Sequence, residues 1–203
     1  VSPAPGVPEG HPLIAAAIAA DRHVASEIEL AWMWEQQRPG GARPMIAVTG
    51  TDGKTTTVSM VASMLEEAGH RTVACGNTDT PFLDALELDV DAYVVECSSF
   101  RLAFTDGFRA EAAIWLNLAP DHLNWHDSMA SYEAAKARIF KQQSAGDVSI
   151  GNIDDPVVRR HLADSPARQV SVGDGGDYRC EAGALIHPDG VIIGAGEMRR
   201  SLP

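Results

Sequence analysis

Lys54 and Thr55 close the run Val48-Thr49-Gly50-Thr51-Asp52-Gly53-Lys54-Thr55-Thr56, whose residue types suit a phosphate. Glycines let backbone N–H groups approach phosphate oxygens, the lysine reaches terminal phosphates, and a hydroxyl can ligate Mg²⁺. The usual phosphate-binding loop has glycine five places before Gly53, where this chain has Val48. Glu96 ends an apolar run, Ala92-Tyr93-Val94-Val95, where a carboxylate can help hold Mg²⁺ beside those phosphates. His122 and His126 stand four apart, a zinc-like spacing, but Pro120 and the lack of a nearby third ligand weaken that reading. His126 reads as a structural hydrogen-bonder.

Lys136 interrupts the apolar stripe Met129, Tyr132, Ile139, Phe140 of a predicted helix over 128–141. Two readings stay open. The side chain can snorkel to the surface. Alternatively burial lowers its pKa, leaving an amine able to add CO₂ as a carbamate and so to become a Mg²⁺ ligand.

These residues need elements to position them. Met45-Ile46-Ala47-Val48 reads as a buried strand, and Val58, Val61, Ala62 and Leu65 share one face of the helix that follows, closed by Gly69. Strands at 71–75, 92–96, 112–118, 147–150 and 168–172 alternate with helices near 81–87, 128–141 and 155–163. The runs at 92–96 and 112–118 are continuously apolar, as parallel strands covered on both faces require. Short strands at 178–181, 184–187 and 191–194, separated by glycine or Pro-Asp-Gly turns, predict a small antiparallel appendage. Near the start, an apolar helix runs from His11 to Ala20, and Ser26 with Glu29 predicts a capping box opening a helix through Trp34. The fold class is therefore α/β, a mostly parallel P-loop-type sheet flanked by helices, with that appendage near the C-terminus. Ligands of such sheets sit beyond the carboxyl ends of the strands. Lys54, Asn77, Glu96 with Ser98, His122 and Asn152 all follow strands there.

The chain has 203 residues, 45% of them hydrophobic, enough for a sizeable core. A formal net charge of −12 opposes nucleic acid or an anionic membrane as partner. Cys75, Cys97 and Cys180 are widely spaced and odd in number, which suggests reduced thiols and a cytoplasmic setting. No stretch approaches membrane-spanning length.

Thr49 to Thr56, Glu96-Cys97-Ser98-Ser99-Phe100-Arg101-Leu102, Asp121-His122-Leu123 and Tyr132 to Phe140 together resemble the central domain of the Mur ligases. Those are ATP-dependent, amide-forming enzymes of peptidoglycan precursor synthesis. The Glu-x-Ser-Ser-Phe-x-Leu form is similar to the branch joining D-glutamate to UDP-N-acetylmuramoyl-L-alanine; a sister branch usually shows His where this chain has Phe100. The resemblance implies that Gly50, Thr51, Asp52, Gly53, Lys54, Thr55 and Thr56 bind ATP phosphates and that Asn152 meets the adenine. It implies one Mg²⁺ on Thr55 and Glu96, and a second on His122 and a carbamylated Lys136. Asn77 would contact the muramoyl substrate or its metal shell and Ser98 the substrate, with Lys54, His122 and Lys136 serving catalysis. It further implies a monomer in which residues 1–38 are a remnant of a preceding UDP-substrate domain and 39–203 are the ATP-binding domain. A C-terminal amino-acid-binding domain would be absent, so this chain alone is expected not to ligate. Departures are Asp52 in place of Asn, and Asn77-Thr78-Asp79 in place of Asn-Ile-Gly. Alternatives are a sister ligase, a folylpolyglutamate synthase, or a nucleotide-binding module without catalysis.

Overall fold

The computed structural model describes residues 1–4 and 6–194. Six parallel strands form one sheet in the order β2-β3-β1-β4-β5-β6. They are β1 (Met45–Thr49), β2 (Thr72–Gly76), β3 (Ala92–Glu96), β4 (Ala112–Trp115), β5 (Val148–Asn152) and β6 (Arg168–Val172). Strand β1 lies between β3 and β4, with Val48 opposite Glu96 on one side and Ile114 on the other. From β1 the chain first lays down the edge strand β2, returns to insert β3 between them, then crosses to build β4, β5 and β6 on the other side of β1. The β1/β4 boundary is thus a topological switch point, where the loops after two neighbouring strands part and leave a crevice.

Side-chain alternation divides the core in two. Ile46, Val48, Val94 and Ile114 face α3 (Lys54–Glu67), which covers them with Val58, Ala62 and Leu65. Met45, Ala47, Tyr93, Val95, Ala113 and Trp115 face the other side, covered by α2 (Glu27–Glu35), α4 (Phe82–Ala85), α6 (Met129–Lys141) and α7 (Pro156–Ala163). Helix α1 (Pro12–Ala19) is peripheral, and α5 (Ser99–Leu102) is one turn that the periodicity did not announce. Strands β7 (Arg179–Glu181), β8 (Ala184–His187) and β9 (Gly190–Ile193) make the expected antiparallel sheet.

Three local expectations change. The strand predicted over 112–118 ends at Trp115, because Leu116 to Ala119 turn toward the loop after β1. The helix near 81–87 is a single turn at Phe82–Ala85. The Ser26–Glu29 capping box does not form: Ser26 Oγ has no hydrogen-bond partner among the described residues. The Glu29 carboxylate instead accepts from the amides of Gly107 (2.8 Å) and Phe108 (2.9 Å). Two backbone donors on a buried carboxylate outweigh one reciprocal cap.

Candidate active site

Gly53 takes φ +82° and caps α3, the left-handed conformation glycine adopts without a Cβ penalty. The helix opens with Lys54, Thr55 and Thr56, whose N–H groups have no intrahelical acceptor. Val48 is fully buried within β1, so the turn begins only at Gly50 and position 48 has no need of glycine. Lys54 Nζ folds back onto its own loop, donating to the carbonyls of Gly50 (3.0 Å) and Thr51 (2.8 Å).

Glu96 is 2% exposed at the end of β3. Its Oε2 accepts from Thr55 Oγ1 at 2.7 Å and its Oε1 from Asn77 Nδ2 at 3.0 Å. Residues from three adjacent strand ends therefore meet on one carboxylate. Gly76 makes this possible: a Cβ there would lie 2.5 Å from the Glu96 carbonyl oxygen. Magnesium takes oxygen ligands, often one or two carboxylates, and retains waters, so the Thr55–Glu96 pair fits it. No group of three or more His, Cys, Asp or Glu able to hold a metal occurs among the described residues.

Lys136 is 1% exposed, so its ammonium does not snorkel. It lies 4.8 Å from the centre of the Tyr132 ring and donates to the Gly50 carbonyl at 2.7 Å. Burial, then the charge of Lys54, push it down to about 7. Two lysines thus share the Gly50 carbonyl. Nearby, the Tyr132 hydroxyl lies 3.1 Å from Thr51 Oγ1.

His122 borders that buried cluster from an exposed turn, its ring edge-on to the Tyr132 ring at 6.4 Å. It takes φ +53°, its ring packs on Phe100 at 4.7 Å, and Nε2 lies 3.3 Å from Asp121 Oδ2. The His122–His126 stretch is a turn, which removes the helical zinc geometry. His126 is buried, with Nε2 at 2.9 Å from Ser99 Oγ, and burial pushes its imidazolium down to about 4. Ser98 caps α5, its Oγ accepting from Arg101 N at 3.4 Å.

A cavity of about 650 Å³ adjoins the loop, lined among others by Asp52, Gly53, Asn117, Asn152, Asp154 and Tyr178. Asn152 borders it from the end of β5, with its Oδ1 accepting from Asp154 N at 3.0 Å. The appendage contributes Arg179, Cys180 and Leu185 to its far wall. Two residues here escaped the sequence reading as site residues. The Asn117 side chain bonds three times to the loop after β1, and Tyr132 turns its hydroxyl to the same loop. An asparagine just past an apolar strand was the available signal for the first. Nothing local distinguishes the second from an ordinary core tyrosine.

The arrangement joins a phosphate-binding loop, a buried carboxylate paired with a hydroxyl, and a buried amine. A profile of the Mur ligase middle domain matches residues 48–191. The UDP-N-acetylmuramoylalanine--D-glutamate ligase of Mycolicibacterium vanbaalenii is 45% identical over 170 residues, covering 83% of this chain and 34% of that protein. The chain spans about a third of the length of the curated relatives it matches. Its fold superposes on MurF from Acinetobacter baumannii with TM-score 0.65 at 21% identity, covering 81% of this chain and 40% of the other. It also superposes on MurF ligase from Thermotoga maritima in complex with ADP, with TM-score 0.60 at 17% identity, covering 86% and 48%.

Proposed function

The chain belongs to the Mur ligase family, as a middle domain, and from that premise we propose that it is the ATP-binding core of a D-glutamate-adding ligase. The acceptor would be UDP-N-acetylmuramoyl-L-alanine, as the name of the Mycolicibacterium relative describes. The observation that carries this reading is the convergence of Lys54 and the buried Lys136 on the Gly50 carbonyl, beside the Thr55–Glu96 pair. One group suits a triphosphate; the other provides a buried amine where a second substrate would meet it.

The chain's own residues can be given roles on that reading. The amides of Gly53 to Thr56 and the start of α3 receive the phosphate oxygens. Lys54 exchanges its two carbonyl partners for terminal phosphate. Asn152, at the cavity rim, faces the adenine, while Asn77 and Ser98 serve the muramoyl substrate. Thr55 and Glu96 would hold one Mg²⁺, and His122 with a carbamylated Lys136 a second. When bound, such ions supply positive charge against phosphate and carboxylate oxygens. With its ammonium pushed down to about 7, Lys136 offers a free amine near neutral pH. That amine forms an N–C bond to CO₂ and releases a proton. His122, on an exposed turn, meets this cluster at the Tyr132 ring.

The reaction balances as two transfers. The substrate carboxylate oxygen bonds to the γ-phosphorus and ADP leaves; the glutamate amine then bonds to the carbonyl carbon, and phosphate and a proton leave. Gathering these anions is the protein's task, and preorganised donors do it without reorganising water.

In the complete ligase, phosphate release should require UDP-N-acetylmuramoyl-L-alanine and D-glutamate together. Equal release with meso-diaminopimelate and the dipeptide precursor, or with a folate and L-glutamate, would assign the chain to a sister ligase instead. No helix among the described residues is long and apolar enough to cross a membrane.

A further inference from the structure

We propose that Asn117 is a positioning residue for the phosphate-binding loop, holding its first half against β4 so that only Gly53 to Thr56 face the phosphates. The proposal rests on the nucleotide-binding reading above. Asn117 Oδ1 accepts from the amides of Thr51 (2.9 Å) and Asp52 (3.0 Å), and its Nδ2 donates to the Asp52 carbonyl at 3.2 Å. The Thr51 amide also points at the Asn117 carbonyl, 3.2 Å away. Neither amide is left to meet a phosphate oxygen.

Further ties secure the same half of the loop. Thr51 Oγ1 donates to the Ala119 carbonyl at 3.2 Å and accepts from the Ala119 amide at 2.9 Å. Gly50 is pressed against Leu116, whose Cβ would lie 3.0 Å from a Cβ at position 50. Lys136 holds the Gly50 carbonyl from α6. Leu116, Asn117 and Ala119 come from the segment just after β4, across the β1/β4 switch point, and Lys136 comes from α6. By contrast, the amides of Lys54, Thr55 and Thr56 open a helix and have no intrahelical acceptor. The glycine-rich run therefore divides into a strut at Gly50 to Asp52 and a cradle at Gly53 to Thr56. Asp52 sits in the strut, where its backbone is fixed by Asn117.

The test is amide hydrogen exchange by NMR, with and without a non-hydrolysable Mg²⁺–ATP analogue, together with steady-state kinetics of the complete ligase. In the parent, the Thr51 and Asp52 amides should be protected before nucleotide is added and gain nothing from it, while amides in 53–56 gain protection. Asn117→Ala should expose the Asp52 amide, leave the Thr51 amide only the carbonyl of residue 117, and raise KM for ATP roughly 10- to 100-fold, as expected for the loss of the side-chain hydrogen bonds. KM for the UDP-sugar should stay within about twofold, since Asn117 lines the cavity beside Gly53 and Asn152 and acts on the loop there. Asn117→Asp keeps the accepting oxygen but sets a second oxygen against the Asp52 carbonyl, so the Asp52 amide should be protected to a degree between the parent and Asn117→Ala. Nucleotide-induced protection of Thr51 or Asp52 in the parent would overturn the proposal, as would an unchanged KM for ATP in Asn117→Ala. So would an Asp52 amide no better protected in Asn117→Asp than in Asn117→Ala. If Asn117→Ala does not fold, Thr51→Val, which removes only the hydroxyl ties, should raise KM for ATP in the same direction by a smaller factor; no rise refutes the strut. A parent that binds no ATP would instead refute the nucleotide reading.

Discussion

Replacing Lys136 with methionine should remove a pH dependence of stability that the parent chain carries above neutrality. Lys136 is 1% exposed, and burial followed by the charge of Lys54 push its ammonium from the ordinary 10.5 down to about 7. Below pH 7 the folded and unfolded chains both hold the proton, and the full cost of burying the charge stands. Between about 7 and 10.5 the unfolded chain keeps a proton that the folded chain has shed. The unfolded state then binds more protons, so stability rises with pH, by about 1.4 kcal/mol per unit for this group. From pH 6 to pH 9 the rise amounts to roughly 2–3 kcal/mol. Methionine fills similar space, and the Gly50 carbonyl keeps Lys54 as a donor. His126 and Cys97 feel the charge of Lys136, but burial dominates both and pushes them out of this pH range in the folded chain, so the difference between the proteins reports Lys136. Lys136→Met should show its greatest relative stability at pH 6, and that advantage should shrink by the same 2–3 kcal/mol at pH 9. Urea unfolding at pH 6, 7.5 and 9, at fixed ionic strength in carbonate-free buffer without nucleotide, measures it. Stability profiles that run parallel across this range would show that Lys136 titrates like a solvated lysine, and the argument for a buried amine would fail.

Other outcomes follow from single contacts. Gly76→Ala places a Cβ 2.5 Å from the Glu96 carbonyl oxygen at φ +93°, so it should cost about 2–4 kcal/mol in urea unfolding; a loss under about 1 would mean β2 and β3 separate freely. Glu29→Ala strips the acceptor from the Gly107 and Phe108 amides and should cost about 2–5 kcal/mol, whereas a surface-like loss would show that water replaces the carboxylate. Among the three thiols, only Cys180 is exposed, while Cys75 is buried and pushed up to about 12 by burial, and Cys97 is also pushed up by burial. A disulfide reagent should therefore modify one thiol quickly in the folded chain and all three after unfolding. Rapid reaction of two or more would contradict the packing around β2 and β3.

Much of this molecule is written in local pattern. Continuous apolar runs at 92–96 and the alternation of strands with helices specify a parallel sheet, because only such a sheet buries both faces of its strands. The Gly50–Thr56 run with its flanking strand and helix marks a phosphate loop, and strand-end residues such as Glu96 and Asn152 point to the sheet edge where ligands gather. Other features depend on contacts distant in sequence. Glu29 matches a capping-box pattern, yet the amides of Gly107 and Phe108, 78 and 79 residues away, capture its carboxylate. Helical spacing left Lys136 undecided between surface and core; the Gly50 carbonyl, 86 residues distant, and the Tyr132 ring settle its burial. The division of the glycine loop into strut and cradle lies further still from local reading. It exists because strand order brings β4 beside β1, so that Asn117 meets Thr51 and Asp52 across the switch point. Periodicity and residue type act within a few turns of chain, and they fixed the elements and their chemistry. The partners of buried charges and amides were decided only when the sheet closed, because each unsatisfied group takes whichever donor or acceptor the topology brings within reach.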